Sequence, residues 1–416
     1  MSSTDTGKAS EWQTEEIRKE ICNTDYHKKN YNTDCNKIYN TGSNEEEQNP
    51  DKDHKGVPAG HALIAMSGGV DSSVAAMLMC KAGYECIGVT MKLYDNEDVG
   101  LSQNHTCCTL DDVEDARIVA HQLGMRFYVM NFKEDFSHQV IDRFVDAYER
   151  GNTPNPCIDC NRYMKFAKLY DRAKAVGFGT IVTGHYARVE YDEEKGRWLL
   201  KKARNLAKDQ SYVLYFMTQD QLAHTRFPLG EYADKEKVRE LAEEYHFVNA
   251  RKHDSQDICF VPDGNYGDFI ERRTGKKYES GDFVDQQGHV LGQHKGLLRY
   301  TIGQRKGLGL ALPAPLYVRR KDMAKNQVIL SPEKDLYTKE LLAKDFNWIS
   351  CEPPKEPIKV TAKTRYRAKE APAMAQALPD GTVKVVFEEP VRAVTGGQAV
   401  VLYDEDVVVG GGTILG

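Results

Sequence analysis

The sequence has no apolar run close to the roughly 20 residues that a membrane-spanning helix needs, and no apolar segment near its first residues that resembles a secretory signal peptide. Its ten cysteines are few for a chain of 416 residues, whereas disulfide scaffolds are short and dense in cysteine. These absences exclude a membrane span and a disulfide framework. We therefore expect a cytoplasmic protein with reduced thiols and no membrane partner.

A strong excess of one charge is also missing. The net charge is −6, and residues 1–55 hold 12 acidic and 8 basic side chains, which leaves 50 and 48 in the rest of the chain. A nearly neutral chain excludes a global field that would attract nucleic acid. An RNA partner would need local basic patches instead.

The composition divides the chain into four regions. Residues 1–57 are polar and aperiodic, which is typical of a disordered tail. Residues 58–265 alternate strands and helices, which predicts an α/β domain with a doubly wound parallel sheet. Residues 266–351, with many glycines, suggest a small central domain, and a proline-rich linker at 352–357 opens a C-terminal β-barrel-like domain at 352–416. Predicted strands lie at 63–66, 86–93, 127–131, 180–183, 358–368, 382–388, 398–403 and 407–409, and predicted helices at 72–81, 111–123, 136–148 and 164–176.

The stretch SGGVDSS, residues 67–73, joins the first predicted strand to the first predicted helix. Gly68 and Gly69 allow the backbone to approach an anion, and the helix N-terminus supplies positive potential. The lysine of a Walker-type loop is absent. Asp71 would repel a phosphate unless Mg²⁺ or a neighbouring lysine intervenes, so the loop predicts phosphate chemistry of another kind.

Two further segments contain cysteine in a suggestive setting. Cys157 and Cys160 form a C-x-x-C pair before a predicted helix, and Arg162 and Lys165 follow them, a setting that favours a thiolate. A structural zinc site is the alternative, but it needs four ligands and the chain has no second C-x-x-C. Cys259, in DSQDICFVPD, is by itself most typical of a core residue.

Taken together, these segments resemble one enzyme family. SGGVDSS is similar to the pyrophosphate loop of the PP-loop ATP pyrophosphatases, which cleave ATP between the α and β phosphates. From about Ala62 to the last residue, the blocks GVTMKL, GNTPNPCIDCNRYMKF, TGHYAR, KDQSYVLY, FPLG, DSQDICF, LGQHKG, YTIGQRKGLG, KTRYR and GGQAVVLY follow in the order found in the tRNA-uridine 2-sulfurtransferases, or 2-thiouridylases.

The resemblance implies ATP-dependent 2-thiolation of the wobble uridine, position 34 of tRNA. ATP, with Mg²⁺, would adenylate the C2 oxygen, and sulfur would then replace that oxygen with release of AMP and pyrophosphate. The residues that the resemblance assigns to ATP are Ala65, Met66, Ser67, Gly68, Gly69, Val70, Asp71, Ser72, Met91 and Gly184.

The resemblance also assigns roles to the cysteines. Cys160 corresponds to the nucleophile and Cys259 to the residue that carries the persulfide, and the two would form a redox disulfide. Some family members carry an acidic residue at the position of Cys157, so a base role does not transfer to this chain. A second hypothesis is a [4Fe-4S] cluster held by Cys157, Cys160 and Cys259, with its fourth iron open for sulfide.

Contacts to tRNA are expected at several positions. Lys363, Arg365, Arg367 and Lys369 alternate in the predicted strand 358–368 and beyond it, which would align them on one face; an ordinary solvated face is the alternative. Basic runs at Arg305-Lys306 and at 319–321 would widen this surface. The residues that the resemblance places at the target base or tRNA are Asn155, Pro156, Cys157, Lys208, Asp209, Gln210, Arg365 and Tyr366.

The partners implied are the tRNAs for Lys, Glu and Gln, and a sulfur donor such as a cysteine desulfurase or a sulfur-relay protein. Two alternatives belong to other classes. Another PP-loop adenylating enzyme, acting on a small molecule or another tRNA base, would not need the pair Cys160 and Cys259. A non-catalytic RNA- or metal-binding protein would not need the intact loop.

Overall fold

The computed structural model describes residues 60–95, 110–252 and 258–416. The predicted tail lies outside these residues, as does the DSQD part of the third cysteine segment. The described strands are β1 (His61–Ala65), β2 (Glu85–Lys92), β3 (Arg126–Asn131), β4 (Thr180–Val182), β5 (Ala187–Asp192), β6 (Arg197–Lys202), β7 (Thr225–Arg226), β8 (Gly281–Val284), β9 (Val290–His294), β10 (Tyr317–Asp322), β11 (Gln327–Ser331), β12 (Tyr337–Trp348), β13 (Ile358–Lys363), β14 (Ala371–Ala377), β15 (Val383–Arg392), β16 (Ala399–Asp404) and β17 (Val407–Ile414).

Two of the described helices contain a π-type stretch. Helix α3, residues 133–149, consists of Lys133–Phe136, the π-type stretch Ser137–Asp142 and Arg143–Glu149. Helix α4, residues 156–175, consists of Pro156–Asp159, the π-type stretch Cys160–Lys168 and Leu169–Ala175. The others are α1 (Val70–Lys81), α2 (Leu110–Gln122), α5 (Gln219–Ala223), α6 (Lys235–Glu244) and α7 (Tyr266–Thr274), with 3₁₀ turns at Ser211–Leu214, Pro228–Glu231, Leu297–Arg299 and Glu333–Leu336.

The first sheet is parallel and has the order β3-β2-β1-β4-β7. Its two faces bury different halves of β1, because side chains alternate along a strand. Ala62 and Ile64 pack with α1, α2 and α6, whereas Leu63 packs with α3 and α4. The predicted doubly wound α/β domain is therefore confirmed, and the carboxyl ends of β1, β2 and β4 meet at one edge, where such sheets bind ligands.

Two further sheets follow. A four-stranded sheet has the order β10-β11-β8-β9. In the third, β12 to β17 close into a barrel because β12 pairs with both β15 and β17. The hairpin β5–β6 extends this barrel through one pairing, Val407 with Lys201. The β-barrel-like C-terminal region is thus confirmed.

The structure corrects three details of the sequence analysis. The barrel starts with β12 at Tyr337. The proline-rich stretch at 352–357 therefore connects the barrel strands β12 and β13 and does not precede the barrel. The predicted strand 358–368 ends at Lys363, and the KTRYR segment turns there. The cations from Lys363 to Lys369 therefore do not share the face of a strand. The helix predicted at 164–176 begins earlier, at Pro156, and includes both cysteines of the C-x-x-C pair.

Candidate active site

The glycine loop at the end of β1 leaves the N-terminus of α1 uncapped. Gly69 is the residue before the helix, and no side chain caps the first turn. The hydroxyl of Ser72 instead donates to the Gly69 carbonyl at 2.9 Å and accepts from the Ser67 N–H at 3.2 Å. The remaining N–H groups of the first turn are therefore available to an anion, as the loop pattern predicts.

Gly68 gives the loop its shape. Its φ is +76°, and a Cβ on it would lie 2.2 Å from the Asp112 carbonyl oxygen, so no larger residue fits. The side-chain amide of Asn249 donates to the Gly68 carbonyl and to the Ser73 hydroxyl, both at 2.9 Å. These bonds engage the Gly68 carbonyl and the Ser73 hydroxyl and so fix the loop within the protein.

Asp71 faces a lysine, one of the two kinds of cation that could offset its repulsion of a phosphate. Lys235 Nζ lies 2.6 and 2.7 Å from the two carboxylate oxygens, and the Tyr186 hydroxyl donates to Oδ1 at 2.9 Å. Lys235 is 7% exposed as a residue, so this ion pair is largely shielded from water. The lysine neutralises the charge that would otherwise repel a phosphate.

Gly184 follows the end of β4 and lies beside the glycine loop. Met91 lies near the end of β2, against the core below that loop. A Cβ on Gly184 would be 2.8 Å from the Asp71 carbonyl carbon and the Ser72 nitrogen, so the two backbones are in contact. Met91 packs against the core cluster that contains Leu63 and Val89. Both positions agree with the edge where a nucleotide is expected.

The C-x-x-C pair occupies the first turn and a half of α4. Asn155 caps the helix by accepting from the Cys157 N–H at 3.1 Å, and Pro156 is its first residue. Cys157 is exposed, whereas Cys160 is half-buried and packs against the core. The Asn155 carboxamide oxygen is thus engaged within the helix cap.

Burial dominates the electrostatics of Cys160. It raises the pKa of the Cys160 thiol to about 11, although the ammonium of Lys165 acts in the opposite direction. The thiolate that the sequence setting favours is therefore not the resting form, because desolvation outweighs the nearby cation. Burial also raises the pKa of the neighbouring Asp159 to about 6, against the effect of Arg143 and Arg162.

Cys259 lies at the edge of the same core cluster as Cys160. The hydroxyl of Tyr94, just beyond β2, donates to the Cys259 carbonyl at 2.8 Å, which ties this segment to the ligand-binding edge of the sheet. Cys160 and Cys259, both described, are not joined by a disulfide bond.

The three cysteines do not form a ready cluster site. Within residues 60–95, 110–252 and 258–416, no three His, Cys, Asp or Glu side chains are grouped so that they could hold a metal ion. A [4Fe-4S] cluster needs its thiolates arranged around one centre. The described residues therefore give no support to a cluster held by Cys157, Cys160 and Cys259, and that hypothesis stays a prediction.

Several residues assigned to tRNA have partners within the protein. The Asp209 carboxylate accepts from the Ala203 and Ser211 N–H groups, and Gln210 Oε1 accepts from the Tyr186 N–H at 2.9 Å. Lys208 is half-buried beside them. The Asp209 side chain therefore shapes the segment after β6, and the Gln210 side chain fixes the loop after β4.

Arg365 and Tyr366 lie in the turn after β13. The Arg365 guanidinium donates to the carbonyls of Ile302 and Ala393 and to the Thr395 hydroxyl, at 3.1, 2.8 and 2.6 Å. Tyr366 is half-exposed, with its hydroxyl 3.3 Å from the Asp209 carbonyl oxygen. Arg365 thus joins the turn to two other loops, and Tyr366 remains partly accessible to solvent.

The basic runs of the central region are only partly at the surface. The exposed cations are Arg305, Lys306, Arg319 and Arg320. Lys321 differs, because its ammonium is buried without a hydrogen-bond partner among the described residues. Desolvation lowers the pKa of Lys321 to about 8. Lys321 therefore does not widen the basic surface.

Comparison with known proteins identifies the family. Family models match residues 60–263 as a tRNA methyl transferase HUP domain, 267–332 as a tRNA methyl transferase PRC-barrel domain and 338–414 as an aminomethyltransferase β-barrel domain. The chain is 50% identical over 352 residues to the tRNA-specific 2-thiouridylase MnmA of Clostridioides difficile, which covers 85% of this chain and 97% of the relative. The MnmA of Acetivibrio thermocellus is 51% identical over 353 residues, or 85% and 98% of the two chains.

The chain belongs to the tRNA-specific 2-thiouridylase family. A solved complex of a 4-thiouridine synthetase with RNA and ATP is also similar, at 22% identity and a TM-score of 0.33 over 49% of this chain and 45% of that one, which is too distant to carry an argument. No described helix of this chain has the length and apolarity to cross a membrane.

Sequence reasoning missed two residues that hold the glycine loop. Lys235 and Asn249 are 164 and 176 positions away from the residues whose side chains they bond, Asp71 and Ser73. Lys235 is the first residue of α6, after the helix cap Asp234, and is indistinguishable in sequence from a solvated lysine. Only the unexplained charge of Asp71 indicated that a cation had to be near.

Proposed function

We propose that this chain catalyses ATP-dependent 2-thiolation of uridine 34 in tRNA. The observation that supports it best is the proximity of the nucleotide loop to the cysteine helix. Lys165 of α4 lies 3.5 Å from His185, and the preceding residue, Gly184, packs on the backbone of Asp71 and Ser72. Family membership and this arrangement point to one reaction, because an activated base and a sulfur nucleophile must meet.

The first step is adenylation. The uridine C2 oxygen attacks the α-phosphorus of ATP, and pyrophosphate leaves with the electron pair of the α–β bond. The loop Ser67–Ser72 and the uncapped α1 N-terminus bind the phosphates, while Lys235 keeps Asp71 neutralised. Mg²⁺ would enter as part of the Mg–ATP substrate and be held mainly by phosphate oxygens.

The second step is sulfur transfer. The terminal sulfur of a Cys259 persulfide attacks C2, and AMP leaves. The Cys160 thiolate then attacks the Sγ of Cys259, the S–S bond to the base breaks, and its electron pair stays on the sulfur at C2. The products are 2-thiouridine and a Cys160–Cys259 disulfide, which an external dithiol reduces. A cysteine desulfurase or a sulfur-relay protein would supply the persulfide.

The tRNA would dock on the basic surface of the central and C-terminal regions. Asn155, Pro156 and Cys157 are proposed to face the splayed target base, and Tyr366 offers a ring face for stacking. Lys208 and the exposed arginines would contact phosphates. The tRNAs for Lys, Glu and Gln are the proposed substrates.

The test uses the iron-free enzyme with unmodified tRNA for Lys, Mg–ATP and a persulfide donor. We expect 2-thiouridine by mass spectrometry, with one AMP per thiolated base. Cys160→Ala and Cys259→Ala should lose thiolation, whereas Cys157→Ala should keep most of it. Thiolation that requires iron and Cys157 would replace this mechanism by a cluster-based one. Base methylation without ATP would favour the activity named in the family-model descriptions and refute the proposal.

A further inference from the structure

Cys160 and Lys165 are five residues apart in the π-type stretch of α4, and the charge of Lys165 acts on the Cys160 thiol. A π-helix bonds residues five apart, so the side chains of residues 160 and 165 lie one turn apart on the same side. In a regular α-helix, the side chains of residues five apart differ in direction by well over a quarter turn, so Lys165 would point away from Cys160. The charge of Lys165 consequently favours the thiolate of Cys160, whose burial disfavours it.

His185 holds the ammonium of Lys165 in this position. The Lys165 Nζ lies 3.5 Å from His185 Nε2, and His185 is only 7% exposed. Burial, together with Lys165, lowers the pKa of His185 well below its usual value, so the imidazole is neutral. Since an ammonium can only donate, Nε2 is the acceptor and the ring proton is on Nδ1.

Thr183 fixes this tautomer. Its hydroxyl oxygen lies 2.7 Å from His185 Nδ1 and can accept the ring proton. The rings of Phe166 and Phe227 pack against the imidazole, at centroid distances of 6.0 and 5.9 Å. Lys165 forms no ion pair with a carboxylate of the described residues, so its charge is not cancelled locally.

We propose that Lys165 is the cation that stabilises the anionic sulfur of Cys160 during sulfur transfer, and that His185 and Thr183 are positioning residues for its ammonium. The inference rests on the proposed function in taking Cys160 as the attacking thiol. That thiol loses its proton to water before the attack. Lys165 acts through its charge and forms no covalent bond.

The location of Lys165 suits this task. Its partner His185 directly follows Gly184, which packs on the nucleotide loop. In the second step the anionic sulfur of Cys160 attacks the Sγ of Cys259, after AMP has left. A cation that is held by a neutral acceptor keeps its full charge for this thiolate, whereas a lysine paired with a carboxylate would not.

The test is the pH dependence of Cys160 alkylation by iodoacetamide in the full chain, followed on the peptide that contains Cys160. We expect Lys165→Gln to move the profile to higher pH and to slow alkylation at pH 8 about tenfold, which corresponds to one pKa unit. Lys165→Arg should restore most of the rate. The matched control is Lys168→Gln, on the same helix, whose partner is Asp135 at 3.0 Å.

A second variant and a second reaction separate the possible causes. Thr183→Val keeps the lysine and should shift the profile in the same direction by less. In single turnover, Lys165→Gln should release pyrophosphate at the wild-type rate but form 2-thiouridine at least tenfold more slowly. Alkylation profiles of Lys165→Gln and Thr183→Val that match Lys168→Gln would overturn the inference. If the wild type forms no 2-thiouridine but the profile still shifts, the proposed function fails and the effect of Lys165 on Cys160 stands.

Discussion

Asp71 contributes to the stability of the chain through its ion pair with Lys235 and also anchors the first turn of α1, where the phosphates are proposed to bind. Its carboxylate is held by Lys235 and Tyr186 within 2.9 Å. A buried ammonium that loses its carboxylate is costly, while an apolar pair of similar size is often tolerated. The two roles of Asp71 can therefore be separated by changing both partners of the ion pair.

We expect Asp71→Ala to lower the free energy of unfolding by roughly 2–3 kcal/mol, less than for a fully buried pair because Asp71 is partly exposed. Asp71→Ala/Lys235→Met should recover most of this stability and still release no pyrophosphate from ATP. Urea unfolding and a pyrophosphate assay measure the two effects. Lys237→Met, an exposed lysine on α6, is the control. A stable but inactive Asp71→Ala would show that the ion pair adds nothing to folding.

Lys321 gives a prediction about pH. Its pKa is lowered to about 8 in the folded chain by desolvation, against roughly 10.4 in an unfolded chain. Between these values only the unfolded chain binds the proton, so this lysine makes stability rise with pH, and its penalty is complete below pH 8.

We therefore expect Lys321→Met to raise the free energy of unfolding by about 1–3 kcal/mol at pH 7, the usual penalty for a buried donor without a partner. The gain should shrink as the pH approaches 10. Urea unfolding at both pH values measures it, with the exposed Lys325→Met as the control. An equal gain at both values would mean that packing, and not the charge, is responsible.

At the scale of elements, the glycine loop allows backbone strain to be separated from close contact. Gly68 and Gly83 both have positive φ, at +76° and +84°, but a Cβ on Gly68 would meet the Asp112 carbonyl at 2.2 Å, whereas one on Gly83 would meet nothing within 4 Å. Gly83→Ala therefore measures the conformational cost alone, which is about 1–2 kcal/mol.

We expect Gly68→Ala to cost at least about 2 kcal/mol more than Gly83→Ala, because the loop or α2 must also move. ATP binding should be lost in Gly68→Ala and kept in Gly83→Ala, since Gly83 is at the other end of α1. Thermal unfolding and calorimetric titration with ATP provide the data. Equal stability of the two variants would show that the loop can relax away from Asp112.

The elements that sequence could predict are those with a regular apolar pattern. Strands β1 to β4 lie within two residues of their predicted positions because each is a short run bounded by turns, and β1, β2 and β4 are also largely buried. Strands β5 to β12 and β14 have no counterpart among the predicted strands; β12 is largely exposed and polar, and β14, with the sequence APAMAQA, is rich in alanine. The predicted strand through KTRYR was wrong, because the alternating cations of this turn imitate the pattern of a strand. Arg365 in fact bonds three acceptors from other loops.

The same limit applies to the site. The glycine loop and the C-x-x-C pair are local patterns and could be found in the sequence. The raised pKa of Cys160 could not, because it depends on burial by distant residues. The contact of Lys165 with His185 likewise depends on a π-type stretch and on tertiary packing.

At the scale of the whole molecule, the C-terminal barrel holds the loop that leads into the cysteine helix. The Thr153 N–H donates to the Gly396 carbonyl at 3.1 Å, and Gln398 Nε2 donates to the Thr153 carbonyl. Arg365 bonds Ala393 and Thr395 in the same barrel loop and Ile302 in the central region. The barrel therefore contacts Thr153, which lies two residues before Asn155, and it contacts the central region through Arg365.

This connection predicts that the barrel affects catalysis as well as tRNA binding. Gln398→Ala removes one of the two bonds that hold Thr153, so Asn155 and Cys157 should become less well placed, and misplacement of about 1 Å can cost up to 100-fold in rate. We expect single-turnover thiolation to slow roughly tenfold, with tRNA affinity in a filter-binding assay unchanged. Gln376→Ala, which removes a bond to the Lys355 carbonyl elsewhere in the barrel, should change neither. If Gln398→Ala weakens tRNA binding and leaves the rate at saturating tRNA intact, the barrel acts only as a docking surface, and the loop is positioned without it.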